Sequence, residues 1–556
     1  MTRNILIYLL LLFSTLSSQE SINIKYTLSL NDAINNVDNT VALDLSNKDF
    51  HFLSDNILKL HNLQFLKLKN CRNLNLDNTF IKLQDLKKLK YLDLSWSYHK
   101  NIPPSIKLLK NLETLILNNN QLLEISNEIK NLKNLKHIAL KRNPQLKFES
   151  LFKLLSESNL KEIDLSYNYI NDLPLSFYKI SQLEKANLSG NNITHLDENI
   201  SNLKKLKELN LSLNKNLNLK LSFEALKDCP VERLILEDLK KQALPEEISN
   251  LVHLRQISLN HTPITDLPKS LGSLTSLESL EICFNKNTGK LLELEKIPSS
   301  LGNLKSLKTL ALAGNKISNL PKSLKGLISL EVLDLSMNDL TSFPVFIQSM
   351  SKIKHLSLEK NKISQIPDWI GVINTLEVLL MNGDFTHPYE CKLKSIPEAI
   401  GQLKNLKVIH LNDHVIDNIP ESITELNKLE VLFIRNNLIN KFPKNINKMK
   451  SLTALDIMAN ELKEIPGTLS SLNKLKKLNL AFNPQIDFRK GTQVLKKMAS
   501  LKVLDISRNY IDPLFLKELK DELNNTKIIY FPLKKYLMEK PPNHIIKSLN
   551  DEQNSK

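Results

Sequence analysis

The sequence predicts an α/β solenoid: about twenty short coils, each adding one strand to a continuous parallel sheet on the concave face of an arc. Residues 307–329, LKTLALAGNKISNLPKSLKGLIS, and residues 330–352, LEVLDLSMNDLTSFPVFIQSMSK, follow one 23-residue template. Its L-x-x-L-x-L-x-x-N core begins at twenty positions from Thr40 to Leu501, and thirteen of the nineteen intervals are 23 residues. The L-x-L segment also alternates apolar and polar residues, as a half-buried strand requires.

The nine positions of this core divide into buried and outward sets. Side chains alternate along a strand, so the leucines at positions 4 and 6 point inward while positions 3 and 5 point outward. A single copy cannot offset an ordering entropy of about 1–2 kcal/mol per residue, so neighbouring copies must stabilise it. At position 9 the chain leaves the strand, and a buried amide there can satisfy unpaired backbone groups. Cys71 fills this position in the second copy, and asparagine fills it in thirteen others: Asn120, Asn143, Asn168, Asn191, Asn214, Asn285, Asn315, Asn338, Asn361, Asn437, Asn460, Asn483 and Asn509.

The second half of each copy returns the chain to the next strand. Half of the copies place a proline six residues after position 9, where a missing N–H costs nothing in a turn outside the sheet. Copies of 25 or 26 residues contain stretches that predict helical returns: FESLFKLLSES, SFEALKDCP and TQVLKKMAS. The stretch LFLKELKDELNNTKIIYF predicts a final helix and strand.

This pattern resembles the 23-residue leucine-proline class of leucine-rich repeats, and most of all the exported bacterial proteins of that class. The resemblance extends from residue 40 to about residue 523. It implies a horseshoe-shaped binding scaffold, and such bacterial proteins are often secreted or surface-exposed and contact host proteins. Secreted animal relatives usually carry cysteine-rich caps, which this sequence lacks.

The ends of the chain predict export and capping. Arg3, the apolar run from Ile5 to Phe13 and the small residues STLSS are typical of a signal peptide cleaved after Ser17 or Ser18. Nine apolar residues are too few to cross a bilayer, so no membrane span is expected. The predicted organisation is a signal peptide (1–18), an N-terminal helical cap (19–39), the solenoid (40–523) and a C-terminal cap strand with a flexible tail (524–556). The expected location is secreted, cell-surface or periplasmic.

Enzyme and metal chemistry find little support in the sequence. There is no HExxH, CxxC, GxSxG or GxxxxGK[ST] motif, so we expect no catalytic residues and no cofactor. Zinc-type donors occur in the insertion after Leu380 and in the next copy, but their spacing fits no known ligand pattern. Two of them occupy position 9 and could replace its amide. The donors are Asp384, His387, Glu390, Cys391, His410, Asp413 and His414.

Large apolar side chains replace small polar ones at outward positions of the later copies. A contiguous set of this kind often marks an interaction surface, whereas scattered residues need no explanation. Trp96 and Tyr167 are isolated earlier examples, and two seven-residue insertions follow the strands of the copies beginning at Leu277 and Leu376. The predicted partner-binding patch on the concave face comprises Phe284, Met337, Val378, Leu380, His410, Phe433, Met458 and Phe482.

Net charge supports an alternative function. The formal charge is +16 and the isoelectric point about 9.3, which suits a sulfated glycan, nucleic acid or lipid headgroups. However, charges at position 2 alternate in sign over much of the array, from Glu113 and Lys136 to Lys407 and Glu430. This alternation argues against a uniformly basic groove. We therefore expect a monomer that binds a protein, with no nucleic-acid partner.

Overall fold

The structure, a computed structural model, describes residues 24–284 and 289–532. The predicted signal peptide, most of the predicted tail and Asn285 lie outside these residues. The chain divides into two compact units, Met1–Asn210 and Leu211–Lys556, called here the first unit and the second unit.

The first unit contains eight three-residue strands that pair in parallel, copy against copy. Thr27 adds a bridge to Leu43 at the start of this sheet. Two shorter strands, β4 and β6, pair separately. The strands are β1 Ala42–Asp44, β2 Phe65–Lys67, β3 Tyr91–Asp93, β4 Asn101–Ile102, β5 Thr114–Ile116, β6 Glu124–Ile125, β7 His137–Ala139, β8 Glu162–Asp164, β9 Lys185–Asn187 and β10 Glu208–Asn210.

The second unit continues the same pattern with thirteen parallel strands. Each strand again pairs in register with the strand of the next copy. The predicted α/β repeat solenoid is therefore confirmed in both units. The strands are β11 Arg233–Ile235, β12 Gln256–Ser258, β13 Ser279–Glu281, β14 Thr309–Ala311, β15 Val332–Asp334, β16 His355–Ser357, β17 Val378–Leu380, β18 Val408–His410, β19 Val431–Phe433, β20 Ala454–Asp456, β21 Lys477–Asn479, β22 Val503–Asp505 and β23 Lys527–Ile529.

Helices occupy the returns. The three predicted helical returns are confirmed as α3, α4 and α5, and the predicted final helix and strand are α6 and β23. The helix α2 was not predicted. Asn75 caps it by accepting a hydrogen bond from the N–H of Asn78. The α-helices are α1 Leu30–Ile34, α2 Leu76–Leu83, α3 Phe148–Leu155, α4 Leu219–Ala225, α5 Phe488–Lys496 and α6 Pro513–Glu522.

Short 3₁₀ helices fill the other returns, and the recurrent proline usually precedes them. In the first unit they span Val37–Asn39, Asp55–Lys59, Pro104–Leu108, Asn127–Asn131, Phe177–Lys179 and Glu198–Asn202. In the second unit they span Leu226–Asp228, Glu246–Asn250, Lys269–Ser273, Ser299–Asn303, Lys322–Gly326, Val345–Ser349, Asp368–Val372, Tyr389–Cys391, Glu398–Gln402, Glu421–Glu425, Ile446–Lys448 and Gly467–Ser471.

The core of each unit is a stack of leucine and isoleucine side chains from both halves of every copy. Leu333 at position 4 and Leu335 at position 6 are buried, as is Leu324 from the preceding return. Each such side chain contributes roughly 1.5–3 kcal/mol when it leaves water. Packing between successive copies is therefore what makes the short strands stable.

Position 9 carries a ladder of buried amides that joins successive coils. The Asn338 side chain donates to the carbonyl oxygens of Leu312 and Leu335 at 2.9 and 3.0 Å, and it accepts from the Ile317 N–H at 3.0 Å. Asn143 in the first unit makes the equivalent bonds to Leu117 and Leu140. The predicted role of this asparagine is confirmed.

Other residue types reproduce these bonds where asparagine is absent. The Thr262 hydroxyl donates to the Leu236 carbonyl at 2.8 Å and accepts from the Leu239 N–H at 3.0 Å. The Cys71 thiol lies 3.5 Å from the Leu45 carbonyl oxygen, and burial raises its pKa. Threonine and cysteine can thus take the place of asparagine at position 9 and reach the carbonyl of the preceding coil.

Candidate functional site

The outward strand positions of β8, β9 and β10 in the first unit are polar. At position 3, β7 to β10 present His137, Glu162, Lys185 and Glu208, and Glu162 lies 3.1 Å from the Lys185 ammonium group. These side chains line a shallow groove of about 200 Å³. Burial is the main cause that lowers the pKa of His137, although Glu162 and Asp164 oppose this shift.

The outward positions of β17, β18 and β19 are apolar and lie side by side. Strand pairing aligns Val378, Val408 and Val431 at position 3. It also aligns Leu380, His410 and Phe433 at position 5. Adjacent strands are about 4.8 Å apart, so these six side chains contact their neighbours across the strands. They are called here the apolar patch.

The side chains of the apolar patch cover one another to a large extent. Leu380 is 4% exposed and His410 is 7% exposed, while the three valines and Phe433 are half-buried. The rings of His410 and Phe433 stack with centroids 4.7 Å apart and an angle of 13° between their planes. The expectation that Leu380 and His410 stand exposed is therefore wrong, because neighbouring side chains on the same face pack against them.

His410 is the polar member of the apolar patch. Its Nε2 atom is buried and has no hydrogen-bond partner. Burial, with a smaller effect of the Arg435 charge, lowers the pKa of His410 to about 4. The ring is therefore neutral at neutral pH, and an unsatisfied nitrogen lies among apolar side chains. A buried polar atom without a partner is costly unless a ligand satisfies it.

The structure brings together four of the eight residues predicted for the patch: Val378, Leu380, His410 and Phe433. Sequence reasoning missed Val408 and Val431, although they occupy the same position 3 as Val378. This shared position is the signal that could have identified them.

The other four predicted residues lie elsewhere in their copies. Met337 and Phe482 occupy position 8, where the backbone is left-handed with φ of 54° at both residues. Phe284 also occupies position 8 but is 7% exposed, because its ring lies against Gly314 of the next copy, where even a Cβ atom would approach the ring to 2.4 Å. Met458 lies at position 7. The prediction that Phe284 faces solvent is wrong.

Two of the zinc-type donors, Asp384 and His414, make hydrogen bonds within the repeat. His414 occupies position 9, where its Nε2 contacts the Met381 carbonyl oxygen at 2.6 Å and its Nδ1 accepts from the Leu393 N–H at 3.2 Å. Asp384 accepts hydrogen bonds from the Thr386 backbone and hydroxyl at 2.9 and 2.6 Å. Within residues 24–284 and 289–532, no group of three or more His, Cys, Asp or Glu residues is arranged to hold a metal ion.

The insertion after β17 is anchored to the following copy. The Leu393 N–H is the donor to His414, and Lys392 is almost fully buried with its ammonium nitrogen 3.5 Å from the Asp413 carbonyl oxygen. Burial lowers the pKa of Lys392. Among the described helices, none is long and apolar enough to cross a membrane.

Comparisons with protein families agree with the repeat register. Residues 386–551 match the family described as a leucine-rich repeat region, and residues 159–180 match the single leucine-rich repeat. The chain matches none of the curated proteins with which it was compared. Together with the coils described above, these matches identify the chain as a leucine-rich-repeat protein.

The chain is also similar to solved structures. TLR13 in the TLR13–ssRNA13 complex is 20% identical, with 91% of this chain and 83% of that chain covered and a TM-score of 0.52. A Leptospira interrogans leucine-rich-repeat protein is 23% identical over 91% of this chain and 100% of its own, with a TM-score of 0.46. A Listeria monocytogenes internalin is 20% identical over 64% and 88%, with a TM-score of 0.47. At these identities, the likeness concerns the fold alone.

Proposed function

We propose that the chain is an exported, non-enzymatic scaffold that binds a protein partner through the apolar patch. The observation that carries this proposal is the run of six apolar or aromatic side chains on the outward positions of β17 to β19. The repeat does not require these residues, because the equivalent positions in β8 to β10 are polar. Nothing in the repeat itself explains the difference.

The chemistry of the apolar patch suits one anchoring side chain of a partner. Binding energy at protein interfaces concentrates in a few well-packed, desolvated contacts. A partner aromatic or aliphatic group would contact the three valines and Phe433. The patch thus offers an apolar contact to an anchoring side chain.

The N-terminal residues support export. Arg3, the apolar run to Phe13 and the small residues that follow carry the features of a cleavable signal. Mass spectrometry of the protein recovered from the culture medium, the cell surface and the periplasm tests this part of the proposal. Mature chains are expected to begin at Ser18 or Gln19. Full-length chains confined to the cytoplasm would contradict export.

A random peptide library displayed on phage tests the binding surface. Peptides selected on the wild-type chain should carry an aromatic or aliphatic anchor. Their affinity should fall at least tenfold for the double variant Val408→Ser with Phe433→Ser, because the anchor contact is lost. Phe482→Ser is the matched control, since Phe482 is also a half-buried aromatic residue but lies outside the apolar patch. The absence of selected peptides, or equal losses in both variants, would overturn the proposal.

A further inference from the structure

A second surface lies in the first unit, where the chain leaves the strands. Two tripeptides, Trp96-Ser97-Tyr98 and Tyr167-Asn168-Tyr169, place aromatic residues at position 8 and at the residue after position 9. In each case the preceding copy supplies two cations at the same edge, Lys69 with Arg72 and Lys141 with Arg142. These four aromatic and four basic residues are called here the aromatic–basic edge.

The backbone holds these rings in an uncommon conformation. Left-handed φ values are general at position 8, and Trp96 and Tyr167 have φ of 63° and 59°. Tyr98 and Tyr169 directly follow position 9 and have φ of 56° and 57°. Within the described parts of the chain, they are the two residues at this place in the repeat with a left-handed backbone. A bulky side chain in this region costs energy, and such strain often persists at functional sites. The arrangement also occurs twice, three coils apart, so chance placement of one residue does not explain it.

The cations lie against the rings of the next copy. The Arg72 guanidinium is 4.6 Å from the Tyr98 ring centroid, and the Lys69 ammonium is 5.9 Å from that of Trp96. Lys141 and Arg142 lie 4.8 and 5.1 Å from the Tyr167 ring. No carboxylate occupies positions 7, 8 or 10 in the five copies that begin at residues 63 to 160. These positions therefore carry cations but no carboxylates, unlike position 2, where the charges alternate in sign.

The rings are available to a ligand. Trp96, Tyr98 and Tyr169 are 43%, 45% and 69% exposed. Proteins that bind single-stranded nucleic acid combine aromatic side chains, on which bases stack, with cations that follow the phosphates. Cations alone would suffice to bind a sulfated glycan. An uncharged ligand that stacks on the rings would need no cations. Their combination on neighbouring strands, about 4.8 Å apart, favours a ligand that has both flat rings and regular negative charge.

We propose that the aromatic–basic edge binds single-stranded nucleic acid. This inference departs from the expectation of no nucleic-acid partner, which rested on the charges at position 2 at the other end of the strand. It is independent of the apolar patch, because every residue of the edge lies in the first unit.

Fluorescence anisotropy of a labelled oligothymidylate with the 556-residue chain tests this proposal. Binding is expected at low salt, and four phosphate contacts predict a slope of about −3 for the logarithm of affinity against the logarithm of salt concentration. The double variant Tyr98→Asn with Tyr169→Asn should bind roughly tenfold or more weakly with an unchanged slope, because stacking is lost. Asparagine is chosen because it tolerates the left-handed backbone. The variant Arg72→Gln with Arg142→Gln should reduce the slope by about 1.4.

A matched control comes from the second unit. Tyr510 follows position 9 of the last copy and is 60% exposed, so Tyr510→Asn removes an equally accessible ring and should leave binding unchanged. Circular dichroism verifies that each variant folds. The proposal is overturned if the oligonucleotide does not bind at low salt. It is also overturned if heparin binds at least as tightly and the tyrosine variant loses no affinity, which would define a site for polyanions in general.

Discussion

Strand β8 in the first unit and strand β18 in the second unit occupy equivalent places in the repeat, but their outward side chains differ. In β8 these are Glu162 and Asp164, and in β18 they are Val408 and His410, whereas the central residue of both strands is a buried isoleucine. The comparison separates two kinds of information. Buried positions maintain the solenoid and are alike in both units, while outward positions are free to differ.

The largest expected effect tests whether the buried positions are equivalent. Asn338→Ala removes the hydrogen bonds that the side chain donates to the carbonyls of Leu312, Leu335 and Ser336 and the one that it accepts, and should lower the free energy of unfolding by about 3 kcal/mol. Asn143→Ala in the first unit should cost about the same. Urea unfolding measures both losses.

Each unit contains one tryptophan, which allows the two losses to be measured separately. Trp96 reports on the first unit and Trp369, which packs against Phe343, on the second. Single-tryptophan variants therefore assign each transition. If only one of the two variants lost stability, the position 9 asparagines of the two units would not be equivalent.

The next effect depends on pH and on His414. Burial is the main cause that lowers the pKa of His414 to about 4, below the value of about 6.5 in an unfolded chain. Between these values the unfolded chain takes up a proton that the folded chain does not, so stability falls as pH falls from about 6.5 to 4. At about pH 5, this proton uptake lowers the free energy of unfolding by roughly 2 kcal/mol.

Replacing His414 by asparagine, the residue that most copies have at position 9, should remove this loss of stability at low pH. His414→Asn is expected to raise the urea midpoint relative to wild type near pH 5 by more than it does near pH 7. Parallel pH profiles for His414→Asn and wild type would contradict the assigned role of the imidazole.

The smallest effect concerns the charged pairs at position 2. Glu278 pairs with Lys308 at 2.7 Å and with Arg255, and Glu113 in the first unit pairs with Lys90 and Lys136 at 3.0 and 2.7 Å. Because these groups are partly solvated, Glu278→Gln and Glu113→Gln should each cost less than about 1 kcal/mol. High salt should remove most of the difference in urea midpoint. A larger or salt-resistant loss of stability in one unit would mean that the position 2 ion pairs of that unit are more buried than those of the other.

The sequence was sufficient to predict what depends on burial. Leucine spacing placed the strands, and amphipathic returns placed α3, α4 and α5. It was insufficient where the direction of a side chain depends on backbone conformation. Met337 and Phe482 follow their strands at left-handed residues, so the alternation of a strand does not predict where they point. Val408 and Val431 were missed because valine is ordinary in a strand. The aromatic–basic edge was missed because its cations come from the preceding copy, as with Lys69 and Trp96.

The central claim is that the apolar patch and the aromatic–basic edge are separate binding surfaces on one buried framework. A crossed binding measurement tests it directly. Anisotropy of the labelled oligothymidylate and of one selected peptide is recorded for Val408→Ser with Phe433→Ser and for Tyr98→Asn with Tyr169→Asn. The account predicts that each double variant loses affinity for one ligand and retains it for the other. A double variant that folds but loses both ligands, or neither, would contradict it.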